Sequence, residues 1–95
     1  MEIRTTDTYA RWFRRLRDRE AKRIIDTRIA RLATGNPGDV APVGGGVSEL
    51  RIDYGPGYRV YYVQRERRLI ILLAGGDKDG QNRDIVRARN LAREL

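Results

Sequence analysis

The stretch from Gly46 to Glu66, GVSELRIDYGPGYRVYYVQRE, admits few folds. Two runs rich in Ile, Val and Tyr flank a Gly-Pro-Gly cluster, the pattern of a β-hairpin. Register then decides what each face carries. With an odd number of unpaired loop residues, for instance Tyr54, Gly55 and Pro56, Arg51 lies across from Arg59 and Glu49 across from Tyr61. Side chains alternate along a strand, so one face carries Ser48, Leu50, Ile52, Tyr58, Val60 and Tyr62. The other carries Val47, Glu49, Arg51, Arg59, Tyr61 and Val63. The first is a core face; the second reads as open. An even loop would mix apolar and charged residues on both faces, the slip that a buried sheet selects against. Like charges directly opposite one another destabilise a sheet, so the Arg51 and Arg59 pair predicts an anion between them.

Elsewhere the chain predicts mostly regular elements. Residues 2 to 5 suit a short edge strand. Thr6 or Asp7 caps a helix to about Arg17, with Tyr9, Trp12, Phe13 and Leu16 at helical spacing. A second helix, roughly Arg19 to Ala33, repeats Ile25, Ile29 and Leu32 on one stripe and stops at Gly35. The short link between the two predicts an antiparallel helix pair. Asn36 to Gly46 reads as a Gly/Pro connector without periodicity. It is not a phosphate loop, because no strand precedes it and no GKS or GKT follows. Arg65 to Arg68 make a tight turn into RLIILLAGG, whose unbroken Leu69 to Ala74 run predicts a central strand buried on both faces. Gly75 and Gly76 are expected to end that strand. A last helix, about Gln81 to Glu94, carries Ile85, Ala88, Leu91 and Leu95 on one stripe. The expected fold is α+β: one domain over 1–95, a small antiparallel sheet with two N-terminal helices packed on it and a C-terminal helix at one edge.

Composition narrows the chemistry. The chain of 95 residues has no histidine and no cysteine, which excludes His-based acid–base work, His or Cys metal sites and thiolate nucleophiles. No metal site and no cofactor is expected. The first fifteen residues are charged throughout, so neither a secretory signal nor a membrane span is expected, and the reading is soluble and cytoplasmic. Twenty basic residues against 13 acidic ones give a formal net charge of +7, which favours a nucleic-acid or acidic-protein partner. Only Lys22 and Lys78 are lysines; arginine carries the rest.

The order of two helices, ELRI, GPGYRVYY, IILLAGGDK, then Gln81 and Asp84-Ile85 opening a last helix resembles the RelE/ParE toxin superfamily. Within it, the chain is most similar to the HigB-like branch, addiction module killer proteins of the phage Gp49-like kind. That resemblance covers nearly the whole chain. It implies the toxin of a bacterial type II toxin–antitoxin system, neutralised by a cognate helix-turn-helix antitoxin, with DNA contact only through the antitoxin complex. Many relatives cleave messenger RNA on the ribosome as mRNA interferases, which inhibits translation. Others, ParE-like, inhibit DNA gyrase without nuclease activity, and a binding module on the same fold is a third reading.

Metal-independent RNA cleavage needs a base for the 2′-OH proton, cations for charge on the phosphoryl oxygens and an acid for the leaving 5′ oxygen. Glu49, Arg51, Arg59 and Lys78 are the candidate catalytic residues, with Tyr61 and Gln81 as candidate substrate contacts. By resemblance, Arg59 falls where these toxins hold an essential arginine, Arg51 near a paired basic residue and Lys78 near a C-terminal one. Glu49 stands where a lysine is expected of the family, and Asp84 and Ile85 where a tyrosine is. Glu49 is therefore the candidate base or the group that orients the 2′-OH, and Lys78 stabilises charge or protonates the leaving oxygen. Read more plainly, Glu49 and Arg51 form an ion-pair ladder, and Asp77, Lys78 and Gln81 cap the last helix.

Overall fold

A computed structural model describes residues 1–95. Five strands form one sheet in the order β1-β5-β4-β3-β2. They are β1 (Glu2–Thr5), β2 (Val40–Gly44), β3 (Val47–Ile52), β4 (Tyr58–Arg65) and β5 (Leu69–Asp77). Three helices, α1 (Asp7–Arg15), α2 (Arg19–Ala33) and α3 (Gln81–Arg93), complete the α+β fold. All neighbouring pairs are antiparallel except β1 with β5, which run parallel with Glu2 opposite Leu69.

Local chemistry sets the boundaries. The Thr6 hydroxyl accepts from the Tyr9 amide and donates to the Leu73 carbonyl, so one side chain starts α1 and pins it to β5. The Asp18 carboxylate accepts from the Glu20 and Ala21 amides and starts α2. At its end Gly35 takes φ +91° while its amide bonds back to Leu32. The turn between β4 and β5 places both Glu66 and Arg67 at positive φ, the backbone that matches the twist of a two-residue hairpin.

The β3–β4 hairpin has the odd register: Glu49 opposes Tyr61, Arg51 opposes Arg59 and Ile52 opposes Tyr58. Its loop runs from Asp53 to Gly57, and the Tyr54 hydroxyl donates to Asp18 at 2.9 Å. On one face Leu50, Ile52, Val60, Tyr62, Ile70 and Leu72 meet Tyr9, Ile25, Ile29 and Leu32 of the N-terminal helices. β5 is central and buried on both faces, as its unbroken apolar run requires.

Four expectations need correction. The second face is not open, and α3 does not sit at an edge. Instead α3 lies across that face, where Val47, Tyr61, Val63, Leu73, Ala74 and Ala88 form a second core. The connector holds a strand, β2, which pairs only with β3. Pro42 hid it, because a residue without an amide hydrogen is tolerated in a sheet only at an edge or bulge, and β2 supplies both. Finally, Gly75 and Gly76 do not end β5 but lie within it, opposite Val60 and Arg59. A Cβ on Gly75 would collide with the Trp12 ring, and one on Gly76 would collide with the Asp84 carboxylate. The glycines let α1 and α3 close onto opposite faces of the same strand.

Candidate functional site

At the end of the sheet where β3, β4 and β5 meet, a concavity of about 350 Å³ opens between the hairpin loop and the end of β5. Arg51, Arg59 and Lys78 line it, with Gly57 between them and Asp39 and Asp53 also on its wall. Gly57 has φ +80°, and a Cβ there would lie 3.4 Å from Lys78 Cβ and 3.6 Å from Arg59 Nη1. A side chain would thus crowd the space between the two cations.

Each cation is held differently. Arg59 is only 13% exposed, and its Nη1 donates to the carbonyls of Gly57 and Tyr58 at 3.2 and 3.1 Å. Its Nε is buried without a hydrogen-bond partner, 3.8 Å from Glu49 Oε1. Arg51 is 42% exposed; its Nε donates to the same Glu49 oxygen at 3.0 Å, and its Nη1 lies 3.8 Å from Asp39 Oδ1. Arg28 reaches from α2 to the Arg51 carbonyl at 2.7 Å, fixing the backbone beneath. Lys78 opens the short 3₁₀ turn Lys78–Gly80, which Asp77 caps through the Asp79 and Gly80 amides.

Glu49 is central to this arrangement, but it is not at the surface. Its side chain is 0% exposed, with Oε1 shared by two guanidinium groups and Oε2 accepting from Gln81 Nε2 at 2.7 Å. A buried carboxylate is tolerated only with such partners. Its role in this geometry is to fix Arg51 and Arg59, which would otherwise repel each other across the hairpin.

Two other candidates move as well. Gln81 points at Glu49 rather than into the concavity. Tyr61 is fully buried beneath α3, its hydroxyl without a hydrogen-bond partner, so it cannot contact a substrate from there. Burial first, and then the Glu49 carboxylate, raise the Tyr61 pKa well above the usual tyrosine value. The concavity therefore gathers Arg51, Arg59 and Lys78, with Glu49 and Gln81 behind them and Tyr61 in the core. Asp39 and Asp53 are the residues sequence reasoning missed. Asp39 stands in the connector that shows no periodicity, and only the pairing of β2 with β3 brings it beside Arg51.

Residues 11–93 match the family described as phage derived protein Gp49-like. The chain belongs to the Gp49-like family. The matched span includes every residue that lines the concavity. An uncharacterized protein of Haemophilus influenzae is a relative, 48% identical over 95 residues that cover 100% of this chain and 96% of the relative. The Gp49-like family belongs to the toxin superfamily of toxin–antitoxin systems, and an antitoxin partner fits such a family. No helix of this Gp49-like chain is long and apolar enough to cross a membrane.

Proposed function

We propose that this chain is the toxin of a HigB-like type II pair and that it cleaves messenger RNA bound to the ribosome. The observation that carries the reading is the Arg51 and Arg59 pair, placed side by side by strand register and tied to one buried carboxylate at the edge of a nucleotide-sized concavity. Arg51 keeps both Nη groups free of hydrogen bonds for a two-pronged contact with a phosphodiester, while Arg59, whose Nη1 is held by two carbonyls, offers Nη2, and neither has to reorganise as charge develops.

In this mechanism Arg51 and Arg59 hold the scissile phosphate. The 2′-oxygen attacks phosphorus as its proton leaves, the bond to the 5′ oxygen breaks, and Lys78 donates a proton to that oxygen. The products are a 2′,3′-cyclic phosphate and a free 5′-hydroxyl. Glu49 is a positioning residue rather than the base, since its carboxylate has no exposed surface and three donors already face it. In this reading the acceptor for the 2′-OH proton comes from the ribosomal decoding site, so cleavage is expected on the ribosome and not on free RNA. A helix-turn-helix antitoxin of acidic or mixed charge neutralises the protein, drawn by its formal charge of +7.

Induction in cells, with transcript 5′ ends and gyrase-dependent DNA breaks mapped together, tests the reading. New 5′ ends within translated codons support it. DNA breaks without them would move the chain to the gyrase-inhibiting class.

A further inference from the structure

A second basic cleft lies outside the candidate site, at the margin where β1 gives out. β1 pairs β5 only as far as Leu72, so the remainder of β5 has no strand on that side. The helices close in there from the two faces of the sheet, and they leave a cleft of about 350 Å³ lined by Arg11 and Arg15 of α1, Arg87 of α3, Trp12 and Gly75. Arg11 and Arg15 are one helical turn apart, a like-charge spacing that weakens a helix. All three arginines are exposed, and none forms a salt bridge or side-chain hydrogen bond within the chain. Asp84, on the Arg87 side, is buried and turned toward Gly76.

We infer that this cleft binds a phosphodiester of single-stranded RNA away from the scissile phosphate, using Arg11, Arg15 and Arg87 beside Trp12. Three guanidinium groups converge on it from two elements, and no carboxylate lies within ion-pair distance of any of them, Asp84 acting on Arg87 only through space. The cleft is similar in volume to the concavity at Arg51 and Arg59. An aromatic ring beside unpaired arginines is the pairing that single-stranded nucleic acid uses, base or sugar against the ring and phosphate against the cations. An acidic protein segment would match the charge but not this pairing. The inference rests on the RNA reading above and extends it to a second point of attachment.

Trp12 is the only tryptophan of the chain, so its emission reports on the ring that lines this cleft. Because the ring of Tyr58, whose carbonyl holds Arg59, lies 6.2 Å from that ring, a triple arginine variant assigns the response to this cleft. The full-length protein is titrated with a 2′-O-methylated single-stranded oligoribonucleotide that cannot be cut, and with poly-glutamate of similar length as the acidic-protein probe. The expected result is a saturable change in Trp12 emission with the oligoribonucleotide. A triple variant, Arg11→Gln with Arg15→Gln and Arg87→Gln, should bind it about tenfold more weakly. The slope of log affinity against log salt should fall by about 0.7 for each phosphate that is no longer neutralised. The corresponding triple arginine-to-lysine variant should recover part of both, which separates missing charge from a failure to fold. Unchanged emission at saturating oligoribonucleotide, an unchanged slope in the glutamine variant, or a tighter response to poly-glutamate overturns the inference. Cleavage of ribosome-bound mRNA is measured in parallel. A silent Trp12 with intact cleavage sinks the cleft alone, whereas a Trp12 response that the triple glutamine variant weakens, without cleavage, sinks the nuclease reading alone.

Discussion

Gln81 Nε2 donates to Glu49 Oε2 at 2.7 Å, so the first residue of α3 is tied to the middle of β3. Through the other Glu49 oxygen the tie continues to Arg51 and to Arg59. Docking of α3 and the aim of the two arginines are therefore parts of one network. Removing the amide by Gln81→Leu leaves a buried carboxylate one donor short and should cost about 1–3 kcal/mol. Gln81→Glu should cost more at neutral pH, because two carboxylates then share the site, and should recover as acid protonates one of them. Urea denaturation at two pH values reads both effects.

Arg59→Ala should reduce cleavage by about 10²–10³, the loss seen when one preorganised donor to developing charge is removed. Arg59→Lys should recover only part, since one ammonium cannot both hold the Gly57 and Tyr58 carbonyls and reach a phosphate. Single-turnover cleavage on programmed ribosomes, beside a thermal melt of each variant, separates the missing guanidinium from a disrupted fold. Full activity in a folded Arg59→Ala protein would move the site elsewhere.

Asp39 stands 3.8 Å from Arg51 and competes with any phosphate for it. Asp39→Asn should raise affinity for RNA by up to about fivefold, the worth of an exposed ion pair of ~1 kcal/mol. The gain should shrink as salt is added. Titration at two ionic strengths is the check, and weaker binding by the variant would assign Asp39 to substrate contact instead.

Gly75→Ala and Gly76→Ala should each destabilise by about 1–3 kcal/mol through overpacking, against Trp12 and Asp84 respectively. Near-ultraviolet circular dichroism should separate them. Only Gly75→Ala should disturb the signal of Trp12. Neither change carries a backbone penalty of its own, because neither glycine takes a positive φ.

Burial holds the Asp84 pKa above the ordinary aspartate value, with Arg83 and Arg87 opposing the shift. A carboxyl group raised on folding binds its proton more tightly in the native state, so its contribution to stability grows as pH falls. The window runs from the raised native value down to the ordinary one. Asp84→Asn should therefore be more stable than the parent at neutral pH, and the difference should close across that window. Parallel melts from neutral to acid measure it, and a difference independent of pH would count against the assignment.

Much of this fold could be read from residues in order, and the failures share one cause. The β3–β4 register followed from alternation alone, since only the odd loop sorts Leu50, Ile52, Val60 and Tyr62 onto one face. Burial of β5 on both sides followed from Leu69 to Ala74. What sequence could not show was that α3 covers the face carrying Glu49 and Tyr61, because a stripe such as Ile85, Ala88 and Leu91 names no partner. Glu49 therefore looked like a surface group. Its burial is legible only once Gln81, 32 residues away, is seen to donate to it. Gly75 and Gly76 failed for the same reason. The side chains that need the space they leave, Trp12 and Asp84, belong to distant elements.

The parallel pairing of β1 with β5 has a consequence for the protein while it is still being made. Glu2 has no partner strand until Leu69 has been added, and Gln81 reaches Glu49 only after the hairpin and β5 are complete. Ribosomes add ~5–20 residues each second, so the amino-terminal strand waits for seconds. Nascent chains in that interval lack the tie between α3 and β3, and Glu49 is not yet enclosed. Lys78 and Gln81, which finish the arginine site, thus follow every strand of the sheet in synthesis order, so a chain stopped before them holds no formed site.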